Sequence, residues 1–246
     1  LPVAFCLMPN RRTATYSELF QRLEQEATMM GKQFDPRHII SDFEAALILV
    51  IRQKFPAATH TRCMFHFNQS VHRKIMDLGL GTDYAQDAST REQCKQLMAL
   101  CLMPVSEVEY QFNRIHTIAS PSLDDLFMYL YRQWIDGHIP LSMWNFYDLN
   151  HRTNNICEAY NRRFGTRFMK KYPNIWTFIQ LIQSENARCE HLIIQLDAGA
   201  SSSKQSTRRT MFQSRFETLK TRFSSNEISA KMLLDKLGLL IGGHKI

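Results

Sequence analysis

The sequence predicts an α/β fold with a mostly parallel sheet in the first third of the chain. Over residues 1–80, short apolar runs typical of buried strands alternate with helical patterns. The connections between them are short, which favours parallel strands joined by helices. After residue 80 the strand patterns stop and helical spacing continues, so we expect an all-helical insertion and a helical C-terminal extension.

Three strands and three helices are predicted in the first 80 residues. The strands, where apolar, β-branched and aromatic residues cluster, are predicted at residues 1–8, 38–41 and 59–67. The helices, in which apolar side chains recur at helical spacing, are predicted at residues 15–27, 44–55 and 69–78. Pro36 and Pro56 interrupt the helical patterns shortly before the second and third strands.

The remaining chain is predicted to be helical. Helices are predicted at residues 90–102, 105–119, 123–134, 173–196 and 211–240, and a further helix starts near Asn155 and contains Glu158. Residues 197–207 form a polar, Ser-rich linker. We therefore predict four parts: residues 1–80 and 141–196 as the two parts of the α/β core, residues 81–140 as the helical insertion, and residues 197–246 as the linker with C-terminal helices.

Composition excludes several classes of protein. The chain has 246 residues, 44% of them hydrophobic and 22% charged, which is typical of a globular protein. None of its apolar runs approaches the roughly 20 residues that a membrane span requires, so no membrane partner is expected. The six cysteines lack the dense spacing of a disulfide framework, which favours a reducing compartment.

Positive charge is concentrated in one part of the chain. Residues 1–150 contain 14 Lys and Arg against 16 Asp and Glu, whereas residues 151–223 contain 13 against 5. This distribution is expected for a surface that binds a polyanion such as DNA. A solvated helical face is the alternative, and it remains open for Arg208 and Arg209.

Three features are candidates for chemistry, and each also has a structural interpretation. Asp42 follows the predicted strand 38–41, but Ser41 and Glu44 have the spacing of a helix capping box. Cys63 and His66 have the spacing of half a zinc site, but no second Cys or His pair lies nearby in sequence, so the spacing alone favours a buried cysteine and a hydrogen-bonded histidine. Glu158 follows Asn155 by three residues, which repeats the capping pattern.

The order of these features resembles that of a known family. The similar segments are residues 2–5 with 16–20, residues 39–44, residues 55–56, residues 63–67, and residues 152–155 with Glu158. In this order they resemble the transposase domain of Mutator-like elements, the MULE domain, a member of the DDE superfamily with a ribonuclease H-like fold. The resemblance covers about residues 1–182.

The resemblance implies metal-dependent cleavage and strand transfer of DNA phosphodiesters. It makes Asp42 the second Asp and Glu158 the final Glu of a catalytic triad that holds Mg²⁺, usually as two ions. Cys63 and His66 match a Cys-x-x-His element near the active site, to which we assign a supporting role and not metal ligation. Four arginines in and after the Glu158 element are expected to contact DNA phosphates: Arg152, Arg162, Arg163 and Arg167.

The resemblance also predicts an incomplete site. The family's first Asp lies on a strand upstream of the strand that residues 1–8 resemble, so we expect the core to be partial, with its first strands missing. Two of three ligands organise two ions poorly, so we expect no strand transfer by this chain. The alternative is a domesticated, non-catalytic DNA-binding or protein-interaction module. Nuclear localisation follows from the DNA substrate, and self-association remains open.

Overall fold

The computed structural model describes residues 2, 4–42, 44–137, 139–149, 155–167, 174–200 and 207–242. The chain divides into two compact units. The first unit comprises Leu1–Phe34 and Asn155–Ser206, and the second unit comprises Asp35–Asn154 and Thr207–Ile246. The boundaries of the four parts that the sequence predicts stay a prediction.

Helices hold most of the described residues, and two short strands accompany them. In chain order the elements are α1 (Thr13–Met29), β1 (His38–Ser41), α2 (Ala45–Lys54), β2 (Thr59–Arg62), α3 (Met64–Asp77), α4 (Gly81–Gln86), α5 (Ala88–Ala99), α6 (Val105–Ile118), α7 (Asp124–Leu130), α8 (Leu141–Trp144), α9 (Asn155–Gly165), α10 (Ile175–Asp197), α11 (Thr207–Ser224) and α12 (Ala230–Gly242). Short 3₁₀ turns lie at Leu100–Leu102 and Pro121–Leu123, and a π-helical turn at Tyr131–Ile135.

A small parallel sheet within the second unit is compatible with the predicted α/β character. β1 pairs in parallel with β2, and the register runs from His38 opposite Thr59 to Ser41 opposite Arg62. Helix α2 joins the two strands, as the sequence predicted. Within the described residues the sheet has these two strands, so the ribonuclease H-like core stays a prediction.

The strand predicted at residues 1–8 is wrong for the residues described there. Residues 2 and 4–8 form no strand. Instead the Phe5 ring lies 5.9 Å from the Phe164 ring and 6.3 Å from the Tyr160 ring, centroid to centroid. Within this apolar segment, Phe5 therefore packs against helix α9.

The strand predicted at residues 59–67 is too long, because helix α3 begins at Met64. Its buried residues recur at helical spacing: Met64, Phe67, Asn68, Val71 and Ile75. β-branched and aromatic residues favour strands only weakly, and burial of this helical face overrides that preference. The other corrected element is the predicted helix 211–240, which is broken between α11 and α12, where Asn226 has a φ of 59°.

An aromatic cluster fixes the start of α3 in the core of the second unit. The Phe67 ring stacks on Trp144 at a centroid distance of 4.9 Å and meets Trp134 edge-on at 4.8 Å. The indole nitrogen of Trp144 donates a hydrogen bond of 3.0 Å to the Trp134 carbonyl. Phe67 has no solvent exposure, so the first turn of α3, which carries His66, is held rigidly.

The capping box predicted for Ser41 and Glu44 is wrong. Glu44 is the N-cap residue of α2, and its side chain makes no capping hydrogen bond. The Ser41 hydroxyl lies 2.7 Å from Nε2 of His60 on the neighbouring strand. Ser41 is buried, so this bond ties the end of β1 to β2 instead of serving the helix.

His60 is held in its neutral form by its surroundings. Burial, together with the positive charges of Arg62 and Arg52, lowers the pKa of His60 from 6.5 to about 4. The folded protein therefore binds a proton at His60 less readily than the unfolded chain does.

We predict that His60 makes the protein less stable in acid. As pH falls from 6.5 towards 4, the unfolded chain is protonated at His60 before the folded protein is, so the free energy of unfolding decreases. The full shift corresponds to about 3 kcal/mol, which partial exposure reduces to about 1–2 kcal/mol. Urea denaturation at pH 7 and pH 4.5 measures this loss.

The loss is expected to be smaller in H60Q than in the wild type. H38Q, which removes an exposed histidine of β1, serves as the control and should lose as much stability as the wild type. Equal losses in H60Q and the wild type would contradict the assignment.

Candidate functional site at the carboxyl edge of the sheet

Asp42 and Cys63 lie at the same edge of the sheet. Asp42 directly follows β1 and Cys63 directly follows β2. Because the strands are parallel and Ser41 pairs with Arg62, the two residues leave the sheet side by side. The carboxyl ends of parallel strands are where α/β folds place ligand sites.

His66 reaches Asp42 from the first turn of α3. Its Nδ1 atom lies 3.0 Å from Oδ1 of Asp42. The Asp42 side chain is 61% exposed and the His66 side chain 27% exposed. The contact leaves the carboxylate open to solvent on its other side, so the imidazole orients the carboxylate without covering it.

Cys63 is fully buried at the N-cap position of α3. It forms no disulfide, and neither do the other four cysteines whose side chains are described. A buried thiol at this place fills the junction between β2 and α3. The supporting role assigned to Cys63 and His66 stays a prediction, and the structure brings His66 to the Asp42 carboxylate.

Glu158 lies on α9, within the first unit. Its side chain lies outside the described residues, and so does Arg152. The predicted pairing of Asp42 with Glu158 as catalytic residues and metal ligands therefore stays a prediction, as does the capping role of Asn155 and Glu158.

Asp42 is the described side chain at this edge of the sheet whose chemistry suits a metal ion. Among them, no group of three or more His, Cys, Asp and Glu residues is close enough to hold an ion. Asp42 fits Mg²⁺ in chemistry, because Mg²⁺ prefers oxygen ligands and this carboxylate is exposed at a rigid strand end.

Two of the arginines predicted to bind DNA converge on a buried carboxylate. Arg163 Nη2 lies 2.6 Å from Oε1 of Glu185, and Arg167 Nη1 lies 2.5 Å from Oε2. Arg188 binds the same Oε1 through Nε at 2.9 Å and Nη2 at 2.6 Å. The remaining described arginine of the predicted set, Arg162, is exposed on α9.

Glu185 is the charged residue that sequence reasoning missed. Its side chain has no solvent exposure, and the hydrogen bonds from Arg188 and Arg163 hold its pKa at about 2, against the opposing effect of burial. A glutamate within a helix usually faces solvent. The sequence held one signal for such contacts, which was helical spacing. Arg163 and Arg167 are four residues apart, and Glu185 and Arg188 are three apart.

Aromatic contacts hold the arginine-bearing end of α9. Tyr160 and Phe164 stack with their ring centroids 6.0 Å apart and their planes 9° apart. The guanidinium carbon of Arg163 lies 5.1 Å from the centroid of the Tyr160 ring, which is a cation–π distance. The Arg163 side chain is therefore fixed by both a ring and a carboxylate.

Comparison with known proteins supports a family for the start of the chain. No curated protein and no solved structure matches the sequence. Within the described residues, no helix is long and apolar enough to cross a membrane. The family model of the MULE transposase domain matches residues 1–70. This segment contains β1, Asp42, β2, Cys63 and His66, so the resemblance to the MULE transposase domain that these residues predicted is confirmed over residues 1–70.

Proposed function

We propose that the chain is part of a MULE-type DNA transposase domain, which uses a divalent metal ion, held by a complete catalytic triad, to cleave DNA phosphodiesters. The observation that carries this proposal is the exposed Asp42 carboxylate, which is placed at the carboxyl end of β1 and contacted by His66 inside the matched segment. A ribonuclease H-like core and a nuclear location belong to the same proposal.

Asp42 and Glu158 are the residues that would hold the ion, for which their carboxylate oxygens are suited. A bound Mg²⁺ supplies Lewis acidity that activates water and stabilises charge on the phosphate. The chain's own contribution is positioning. The β1–β2 pairing fixes where Asp42 leaves the sheet, and His66 fixes the orientation of its carboxylate.

His66 acts in this account as a positioning residue. It neighbours Phe67, which is locked between two tryptophans, so the imidazole is held where it can contact Asp42. Orienting a ligand through a second residue is the usual way in which proteins sharpen a metal site.

We predict that D42N abolishes Mg²⁺-dependent nicking of supercoiled plasmid DNA when it is introduced into a protein that has the complete catalytic triad. An amide lacks the negative charge that a metal ligand supplies, so we expect a loss of at least 100-fold, about 3 kcal/mol in activation free energy. D77N is the matched control, because Asp77 is an exposed aspartate at the end of α3, and it should nick like the wild type. Wild-type nicking by D42N would contradict the assignment of Asp42.

A non-catalytic DNA-binding module is the second candidate. The exposed Arg162 beside the Glu185 arginines favours DNA contact independently of catalysis. DNA binding without Mg²⁺-dependent nicking by a protein that has the complete triad would support this candidate against the first.

DNA binding by α9 predicts a change in salt dependence. If Arg162 contacts a phosphate, R162A should reduce the slope of log affinity against log salt by about 0.9, because one counterion fewer is released. R73A removes an exposed arginine of α3 and should leave the slope unchanged. Fluorescence anisotropy with a labelled duplex over a range of salt concentrations measures both, and an unchanged slope in R162A would mean that this arginine is only solvated.

A further inference from the structure

We propose that Glu185 holds Arg163, Arg167 and Arg188 as a preformed binding site for a phosphate group. The three arginines and the glutamate are called the Glu185 cluster below. The inference deepens the proposed function and rests on it for the identity of the ligand, the DNA backbone.

The Glu185 cluster contains more positive charge than its carboxylate neutralises. Three guanidinium groups contact one carboxylate, which leaves a net charge of +2 in a small volume. One arginine would suffice to pair a buried glutamate. The additional arginines repel one another, and a bound anion removes that repulsion.

The geometry leaves N–H donors for a second anion. A guanidinium group has five donors. Glu185 takes a bond from Nη2 of Arg163, from Nη1 of Arg167, and from Nε and Nη2 of Arg188. The other nitrogens of each group are not used by this carboxylate, and arginine pairs well with phosphate through two parallel hydrogen bonds.

The three arginine side chains are partly exposed, so a ligand in solvent can reach these donors. The side chains of Arg163, Arg167 and Arg188 are 41%, 34% and 30% exposed, whereas Glu185 is fully covered. The negative charge is thus hidden beneath three partly exposed positive groups. An anion approaching from solvent meets the arginines and not the glutamate.

Preorganisation is the contribution of Glu185. A free arginine side chain loses conformational entropy when it binds, and a side chain that is already fixed loses less. The carboxylate fixes three such side chains at once, and the Tyr160 ring further restricts Arg163. Glu185 is therefore a positioning residue for phosphate binding.

Substitution of Glu185 by glutamine separates this role from simple electrostatics. E185Q raises the net charge by one, so electrostatic attraction alone predicts tighter DNA binding. Loss of preorganisation predicts the opposite, and we expect at least fivefold weaker binding of a labelled 20-base-pair duplex at 0.1 M salt. Circular dichroism checks that E185Q is folded. Binding by folded E185Q that equals or exceeds that of the wild type would overturn the inference.

Arg188 provides a second test that does not depend on E185Q folding. R188A should reduce the slope of log affinity against log salt by about 0.9, and R188K, which keeps the charge, should restore the slope with weaker affinity. DNA binding by the wild type with an unchanged slope in R188A would overturn the inference and leave the proposed function intact.

Inorganic pyrophosphate distinguishes failure of the inference from failure of the proposed function. We expect millimolar pyrophosphate to raise the unfolding temperature of the wild type, and not that of R188A. If the wild type bound no DNA, DNA binding would be refuted, while stabilisation by pyrophosphate would still support the Glu185 cluster as a phosphate site. Absence of stabilisation in the wild type would overturn the inference.

Discussion

The parallel pairing of β1 with β2 is the constraint on which the candidate site depends. The register, with Ser41 opposite Arg62, sets where both strands end, and the hydrogen bond between Ser41 and His60 locks that end from within the sheet. Asp42 is the next residue, so its backbone has little freedom. A metal ligand needs positional accuracy of this kind, because an error of a fraction of an ångström weakens coordination.

Neighbouring residues of α3 have different surroundings. Phe67 points into the core and packs against Trp134 and Trp144, while His66 contacts the exposed Asp42 carboxylate. Burial of one residue thus determines the position of the next. Arg163 on α9 and Arg167 just after it are positioned in a similar way, since both guanidinium groups are partly exposed and contact a fully buried carboxylate, Glu185.

Sequence patterns predicted the local structure well where a single periodicity dominated. Strand β1 and helices such as α6 were predicted within one residue of their observed bounds, since apolar runs and prolines delimit them. The early start of α3 was missed because Phe65 and Phe67 resemble strand residues and only tertiary packing reveals the helix. The Ser41–His60 bond and the Arg163–Glu185 bond join residues about 20 positions apart, and local spacing does not show that such residues meet.

The central claim is that Asp42 is a metal ligand oriented by His66. Paramagnetic broadening by Mn²⁺, followed by NMR on the isotope-labelled chain, tests it most directly, since broadening falls steeply with distance from the ion. We expect substoichiometric Mn²⁺ to broaden the signals of Asp42, Cys63 and His66 first, and this selectivity to disappear in D42N. Broadening confined to other acidic residues, or unchanged selectivity in D42N, would contradict the account.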